Sequence, residues 1–233
     1  MPGLDAQLIQ SYDLIIRMID SGATKSRILD TAERLFALNG YESTSLRDIT
    51  AEAQVNLAAV NYHFQTKDSL MDAVIARRVE PVNRRRLEML DAAGPNPTLE
   101  QILTAFLEPM LDVQVECALP LVGRILSNPN QFLERVFSKH FAVIAERFRA
   151  ALIEALPETR VEDVVWGHLF TVGAMTHLMA LGQILPGITG GVCDMSDRRA
   201  VVERVVHFMS GGFRACAGES ALPENGEPAC ARS

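Results

Sequence analysis

The sequence lacks the markers of a secreted, metal-binding or membrane-spanning protein. Its four cysteines form no CxxC pair and have no histidine at ligand spacing, so neither a zinc site nor a disulfide framework is indicated. The N-terminal segment has no basic stretch followed by an uninterrupted apolar run, which a signal peptide requires. From the scattered cysteines we expect reduced thiols and a cytoplasmic location. Because no run of about eighteen apolar residues occurs, we expect no membrane partner.

The motifs of the common enzyme classes are also missing. The chain contains no GxSxG, no HExxH and no glycine-rich phosphate loop, and His140, His168, His177 and His207 are each isolated. We therefore expect a protein that is not an enzyme, with no catalytic residue, no metal site and no cofactor. An internal repeat is absent too, which disfavours a helical-repeat scaffold.

What is present is helical periodicity. Hydrophobic residues make up 48% of the chain and recur every three to four positions, without strand-like alternation of any length, so we predict an all-α protein. Pro81 should kink or interrupt a long helix, and the tail is polar and of low complexity. We predict a helical N-terminal extension (1–23), a helix-turn-helix head (24–80), a helical ligand-binding and dimerisation body (81–217) and a disordered tail (218–233).

Charge is distributed unevenly between these parts. The chain carries a formal net charge of -7, which argues against a protein that coats nucleic acid. Residues 24–86 nevertheless hold ten Lys and Arg against eight Asp and Glu. A mildly basic head therefore precedes an acidic body.

Helix caps divide the head into three short helices after an extra helix at 4–20. Thr24 is expected to cap a helix over about 25–39, which ends at Asn39 and Gly40. Thr44 or Ser45 is expected to cap the second helix, LRDITAEA, and Asn56 the third, LAAVNYHF. Two short helices joined by a tight connection predict a helix-turn-helix.

The third helix carries groups that suit DNA. A recognition helix presents short or hydrogen-bonding side chains to base edges while its ends contact phosphates. Leu57, Ala58 and Ala59 are small or apolar and suit thymine methyl groups, and Asn61 can pair with adenine. The candidate backbone contacts are Thr44, Ser45, Arg47, Asn56, Tyr62, His63 and Lys67.

An alternative interpretation is that these are ordinary helix residues without a role in DNA binding. Tyr62 and Phe64 then belong to the core, Asn56 is only a cap, and His63 is a surface or core histidine. The corresponding alternative function is a helical protein that binds a small molecule or acyl compound and has no DNA activity.

The order of motifs over 27–75 favours the DNA-binding alternative. The run ILDTAERLFALNGYESTSLRDITAEAQVNLAAVNYHFQTKDSLMDAVI resembles the N-terminal head of TetR-type transcriptional repressors, in the order AxxLF, GY, TS, DIT, V and YHF followed by K and L. The resemblance implies a homodimeric repressor that binds a double-stranded DNA operator and is released by a small-molecule inducer.

The resemblance also implies which residues contact DNA. Ala58 stands where many members have glycine, and Asn61 where many have tyrosine, which puts the operator sequence in doubt. The run NLAAVNYHF looks like a subgroup that responds to fatty acids or acyl thioesters, so a fatty acid or acyl-CoA is the expected inducer class. By resemblance the DNA contacts fall on Thr44, Ser45, Arg47, Asn56, Leu57, Ala59, Asn61, Tyr62, His63 and Lys67.

The sequence of the body identifies ligand-binding residues less specifically than the sequence of the head identifies DNA contacts. Arg124 lies in an otherwise apolar short helix, where it suits a ligand carboxylate or a buried acid equally well. The other candidate residues of the body suit the lining of a ligand pocket and a packed core equally well. The predicted ligand-binding residues are Phe106, Met110, Arg124, Phe141, Trp166, Phe170 and His177.

Two further sets of residues have more than one reading. The arginines Arg77, Arg78, Arg84, Arg85 and Arg86 suit a solvated helix face, a phosphate contact, acidic groups of the body or the head of an anionic ligand. Small residues in the last two long helices favour close helix packing, and two such helices per subunit make a four-helix dimer interface in this family. These small residues are Gly173, Ala174, Ala180, Gly182, Gly211, Gly212 and Ala215.

Overall fold

The computed structural model describes residues 3–112, 131–182 and 184–218, and in these residues all regular secondary structure is helical. The predicted all-α class is confirmed. The helices are α1 (Gly3–Asn39), α2 (Leu46–Ala53), α3 (Leu57–Phe64), α4 (Lys67–Ala92), α5 (Leu99–Asp112), α6 (Gln131–His140), α7 (Ala142–Ala155), α8 (Val161–Leu181), α9 (Leu185–Ile188) and α10 (Arg198–Gly218).

The first helix is longer than predicted. We expected a separate helix at 4–20 and a new one capped by Thr24, but α1 runs unbroken for 37 residues, or about 55 Å. Gly22 lowers helix propensity by about 1 kcal/mol relative to alanine, which is too little to end a helix that continues on both sides. The predicted cap at Thr24 is therefore wrong.

The body differs from the prediction at two further places. One helix was expected over 130–155, but Phe141 has non-helical dihedral angles and separates α6 from α7. The helix expected over 161–184 ends at Leu181, and the short α9 follows it. The helix predicted at 119–127 and the tail after Gly218 lie outside the described residues.

The chain forms two compact units. The first contains α1, α2, α3, α6 and the part of α4 up to Pro81. The second contains the rest of α4, from Val82, with α5, α7, α8, α9 and α10. The helix α4 thus contributes its two halves to different units.

The first unit is built on apolar residues from each of its N-terminal helices. Its fully buried side chains include Ile28 and Phe36 of α1, Ile49 of α2, Val60 of α3 and Leu70 of α4. Residues spaced three or four apart within each helix supply one apolar face, so that α2 and α3 both pack on α1. This packing holds the helix-turn-helix on the longer helix.

A buried carboxylate joins α1 to α4. Glu33 is only 3% exposed, and its Oε1 accepts a hydrogen bond of 2.8 Å from Nε of Arg78. Its Oε2 accepts hydrogen bonds from both Arg78 and Arg77, and Arg77 also contacts Asp30 at 2.6 Å. A buried acid that is paired in this way is stabilised relative to an unpaired one. These two arginines therefore face the protein, and the predicted phosphate role does not apply to them.

The second unit has its own core, formed by α5, α7, α8 and α10. Gly167 of α8 lies directly against Phe213 of α10, because a Cβ at residue 167 would lie 2.7 Å from the Cζ atom of that ring. By contrast, Gly173, Gly211 and Gly212 have no atom of the chain within 4 Å of such a Cβ. Within the chain, the close approach of α8 and α10 occurs at a glycine that sequence reasoning did not select.

An aromatic cluster with two basic side chains lies in this core. Phe106 packs edge to face against Phe148 and His168, with ring centroids 5.1 and 5.0 Å apart, and Cζ of Arg86 lies 4.0 Å from the centroid of the Phe106 ring. Burial, reinforced by the charges of Arg86 and Arg149, lowers the pKa of His168 to about 4. His168 is therefore neutral at pH 7.

Adding a methyl group at Gly167 should destabilise the second unit. Since the Phe213 ring is 3% exposed and must shift, we expect Gly167→Ala to lower the free energy of unfolding by about 1–3 kcal/mol in urea denaturation. Gly22→Ala is the matched control, because Gly22 lies in a helix with open space around it and should gain about 1 kcal/mol. Equal effects of the two substitutions would contradict the close contact.

His168 should make stability depend on pH. The unfolded chain takes up a proton at this residue as the pH falls below 6.5, whereas the folded chain does so only near pH 4, so stability is lost as the pH falls across that window. We expect the loss to reach at most about 3 kcal/mol. Urea denaturation of wild type and His168→Gln between pH 7.5 and 4 measures it as the difference between the two curves.

His177→Gln is the control for this experiment, because His177 is an exposed histidine on the same helix. Its stability curve should parallel that of the wild type. Parallel curves for His168→Gln as well would show that His168 titrates normally.

Candidate functional site

The second helix of the head begins with a complete capping box. Oγ of Ser45 accepts a hydrogen bond from the amide of Asp48, and the amide of Ser45 donates to Oδ2 of Asp48 at 2.8 Å. Hydrogen bonds from Ser45 lower the pKa of the Asp48 carboxyl, which keeps it ionised at the start of the helix. The predicted cap at Ser45 is confirmed, and Ser45 stays exposed.

The connections on both sides of α3 are tight. Gln54 ends α2 in the left-handed conformation with φ 53°, and Asn56 then caps α3 by accepting a 2.8 Å hydrogen bond from the amide of Ala59. After α3, Gln65 has φ 64° and ψ -50°, and the amide of Thr66 donates to the carbonyl oxygen of Phe64 at 2.7 Å. This is a γ-turn, a rare and strained conformation for a residue other than glycine.

The eight residues of α3 divide into two faces. Val60 and Phe64 are buried in the first unit, at 0% and 5% exposure. Tyr62 is 79% exposed and Leu57 is 43% exposed, while Asn61 also lies at the surface. The interpretation of Phe64 as core is confirmed, and that of Tyr62 as core is wrong. The short helix is thus anchored by one face and presents polar, aromatic and small apolar groups on the other.

Thr44 does not belong to this surface. It is 1% exposed, and its hydroxyl donates hydrogen bonds to the carbonyl oxygens of Gly40 at 2.8 Å and Leu35 at 3.3 Å. The prediction that its side chain contacts DNA is wrong, because the hydroxyl satisfies carbonyl groups at the end of α1. Arg47, on the first turn of α2, is exposed and stays a candidate.

Lys67 is held by a small network at the start of α4. Its Nζ lies 4.3 Å from the centroid of the Tyr41 ring and 3.4 Å from the carbonyl oxygen of Glu42. The Tyr41 hydroxyl donates to Asp68, which also pairs with Arg135 of α6. Those hydrogen bonds, first from Tyr41 and then from Arg135, lower the pKa of Asp68. The ammonium group of Lys67 is therefore positioned at the surface beside α3.

A crevice of about 370 Å³ adjoins the exposed face of α3. Ala59, Tyr62 and His63 line it from α3, opposite three residues of α1 that our sequence reasoning did not select. Their position beside α3 follows from the continuation of α1 through Gly22, which the sequence did not predict. They are Ser21, Thr24 and Arg27.

The predicted ligand-binding residues are brought together only in part. Phe106 is buried in the core of the second unit, with Met110 packed half-buried against the same core, and Phe141 is half-buried at the start of α7. Trp166 and Phe170 are 51% and 62% exposed on α8, and His177 is exposed there too. These three residues lie at the surface of α8, and the pocket prediction for them stays a prediction, because α8 has apolar residues on several sides and its periodicity does not identify the buried one. Arg124 lies outside the described residues.

The exposed side of α8 forms an apolar stripe, which we define as Trp166, Leu169, Phe170 and Gly173. The rings of Trp166 and Phe170 stack with centroids 5.9 Å apart. On the opposite side Val164, Thr171 and Met175 are buried. A stripe of large exposed apolar side chains on a soluble domain marks an interaction surface.

The same helix meets a simple criterion for a membrane span. Among the described helices α8 alone is long and apolar enough, with a mean hydropathy of 1.4 over its most apolar window. A core or interface helix of a soluble protein passes the same test, so length and composition do not place α8 in a membrane. Within the described part of the chain, no group of three or more His, Cys, Asp or Glu residues is arranged to hold a metal ion.

Two family models match the chain. Residues 28–74 match the model described as bacterial regulatory proteins, tetR family, and residues 104–212 match the tetracyclin repressor-like C-terminal domain. The first covers the helix-turn-helix with its supporting helices, and the second covers most of the helical body. The recognition made from the head motifs is confirmed.

Individual relatives agree with these matches. The chain is 31% identical over 81 residues to a probable HTH-type transcriptional regulator, YttP of Bacillus subtilis, covering 35% of this chain and 39% of that protein. It is 36% identical over 69 residues to the nicotine-responsive repressor HdnoR of Paenarthrobacter nicotinovorans, covering 30% and 36%. The chain thus spans less than half of the length of these two curated relatives.

A solved structure extends the likeness over most of the chain. The regulator SCO4454 from Streptomyces coelicolor superposes with a TM-score of 0.56 at 20% identity, covering 84% of this chain and 90% of that one. At this identity the superposition establishes the fold. Together with the two matched models, it shows that the chain belongs to the TetR family of bacterial regulatory proteins.

Proposed function

We propose that this protein is a transcriptional repressor that binds a DNA operator as a homodimer and is released by a small molecule. The observation that carries the proposal is the division of α3 into a buried face, with Val60 and Phe64, and an exposed face, with Asn61 and Tyr62. A helix anchored on one side and polar on the other suits the major groove, where a recognition helix must lie without deforming.

Direct reading of bases rests on the middle of α3. Asn61 is exposed, and its side-chain amide has the donor and acceptor that pair with adenine N7 and N6. Leu57 and Ala58 are exposed on the first turn, where their apolar surface suits thymine methyl groups. Ala59 is half-buried and contributes mainly by keeping the approach of the helix close.

Phosphate contacts position the head around that reading helix. Tyr62 and His63 carry donors at the end of α3, Lys67 follows at the start of α4, and Arg47 lies on α2. The side chains of Ser45 and Asn56 are occupied as caps, so their contribution is to order the helix N-termini, whose free amides attract phosphate. The mildly basic head within an acidic chain favours this surface over the body for DNA.

Dimerisation rests on two helices of the second unit. The apolar stripe of α8 is exposed, and on α10 Phe208 is 75% exposed with Gly211 and Gly212 nearby in open space. A second copy of the chain would cover both surfaces in a four-helix arrangement, in which the small residues permit close approach. A dimer also supplies the second head that a two-fold operator requires.

The inducer is proposed to be a small, apolar molecule of the fatty-acid or acyl-CoA type. The core of the second unit contains aromatic and thioether side chains, including Phe106, Phe148 and Met110, a composition that suits an oily ligand. One curated relative, HdnoR, is a nicotine-responsive repressor, so a small organic molecule is an inducer of at least one similar protein.

Substitutions in the head should separate base reading from phosphate contact. Against operators selected from random DNA with the wild-type protein, Asn61→Ala should cost about 1–3 kcal/mol of binding and relax specificity at one base pair per half-site. Arg47→Ala should weaken binding to all sequences alike and lower the salt slope by about 1. Electrophoretic mobility shifts over a range of salt concentrations measure both effects.

Arg199→Ala is the control for this experiment, since Arg199 is an exposed residue of the body, paired only with Glu203 of its own helix. It should leave operator binding unchanged. If the wild-type protein selects no sequence at low salt, the DNA-binding function is refuted and the alternative of a ligand-binding protein without DNA activity is favoured.

The apolar stripe should control the oligomeric state. Phe170→Asp places a charge on it and should convert the dimer to a monomer, because a buried unpaired carboxylate costs several kcal/mol. Sedimentation equilibrium measures the mass. Val143→Asp is the matched control, since Val143 is 67% exposed on α7 of the same unit and should leave the dimer intact. A Phe170→Asp protein that stays dimeric would rule out this interface.

A further inference from the structure

Arg86 is a buried cation with neutral partners only. It is 5% exposed, its Nε donates to the carbonyl oxygen of Phe106 at 2.8 Å, and its Nη1 donates to Oδ1 of Asn83 at 3.3 Å. Among the residues that the structure describes, no carboxylate pairs with Arg86 and no acceptor meets its Nη2. One edge of the guanidinium is thus without a hydrogen-bonding partner in the described part of the protein.

A buried cation whose partners among the described residues are all neutral is costly. A buried charge normally has an opposite charge beside it, as Glu33 does with Arg77 and Arg78 in the first unit. Burial without such a partner lowers the pKa of Arg86 to about 10, in the direction that disfavours its charged form. An anion at Nη2 would remove this penalty.

The surroundings of Arg86 indicate what else that anion carries. The guanidinium lies over the face of the Phe106 ring, which also contacts Phe148 and the neutral His168. Met110 packs against the same core. Because His168 and Met110 are half-buried, this cluster extends to the surface of the second unit and is not sealed within it.

We propose that Arg86 binds the carboxylate of an amphiphilic ligand whose hydrocarbon part lies against Met110 and His168, the half-buried side chains of this cluster. Arginine binds a carboxylate through two parallel N–H donors, which gives both charge and direction. Aromatic rings and Met110 supply the apolar surface beside it. The inference deepens the proposed ligand response, and it assigns to α4 the recognition of the head group.

The test compares a carboxylate with an uncharged molecule of equal chain length. Calorimetric titration of the full-length protein, without DNA, should give tighter binding of decanoate than of 1-decanol by about 10- to 100-fold. Arg86→Met should abolish this preference and leave 1-decanol binding unchanged. Arg86→Lys keeps the charge but loses the paired donors, so it should retain a smaller preference for decanoate.

Arg147→Met is the matched control, because Arg147 is exposed in the same unit and pairs with Asp91 at the surface. It should keep the full preference for decanoate. The ligand-free melting temperature of Arg86→Met gives a second readout. Removing a buried charge that lacks a countercharge should leave that temperature unchanged or raise it, whereas a purely structural arginine would lower it.

Three results would overturn the proposal: equal binding of the two compounds by the wild type, no binding of decanoate, or an undiminished preference in both Arg86 variants. Since none of these measurements includes DNA, they are independent of the operator experiment. A protein that binds decanoate through Arg86 and selects no operator would refute the repressor function alone. A repressor indifferent to decanoate would refute this inference alone.

Discussion

The head depends on the pairing of Glu33 with Arg77 and Arg78. This contact joins α1 to α4, and both helices of the helix-turn-helix pack on α1. Removing both arginines would leave the carboxylate of Glu33 buried without compensation, at a cost of about 3–5 kcal/mol. Glu33 lies 44 positions before Arg77 and 45 before Arg78, so the pairing joins parts of the head that are distant in the sequence.

Local chemistry explains why the head could be predicted from sequence. Ser45 and Asn56 cap α2 and α3 through hydrogen bonds to residues three positions ahead. Because both partners lie so close in the sequence, such contacts can be predicted from the residue order alone. The four-residue spacing of Val60 and Phe64 likewise identifies the buried face of α3. When a helix end or a buried helix face depends on residues within one turn, the residue pattern is sufficient to predict it.

Features that depend on distant residues escaped prediction. The burial of Thr44 follows from the carbonyl groups at the end of α1, and the close contact at Gly167 follows from the position of the Phe213 ring. In α8 the two sides are similarly apolar, so only tertiary packing separates the exposed Trp166 from the buried Met175. The sequence places Arg86 within a cluster of arginines, and nothing in the residue pattern distinguishes the buried member from the exposed ones.

The two faces of α3 bear on how such a protein changes its target. The residues that fix the helix, Val60 and Phe64, are separate from those that face outward, among them Asn61 and Tyr62. The connections on either side are set by the backbone conformations of Gln54 and Gln65 and do not involve the outward side chains. Outward positions can therefore be substituted without loss of folding, so the proposed recognition surface can change independently of the scaffold that holds it.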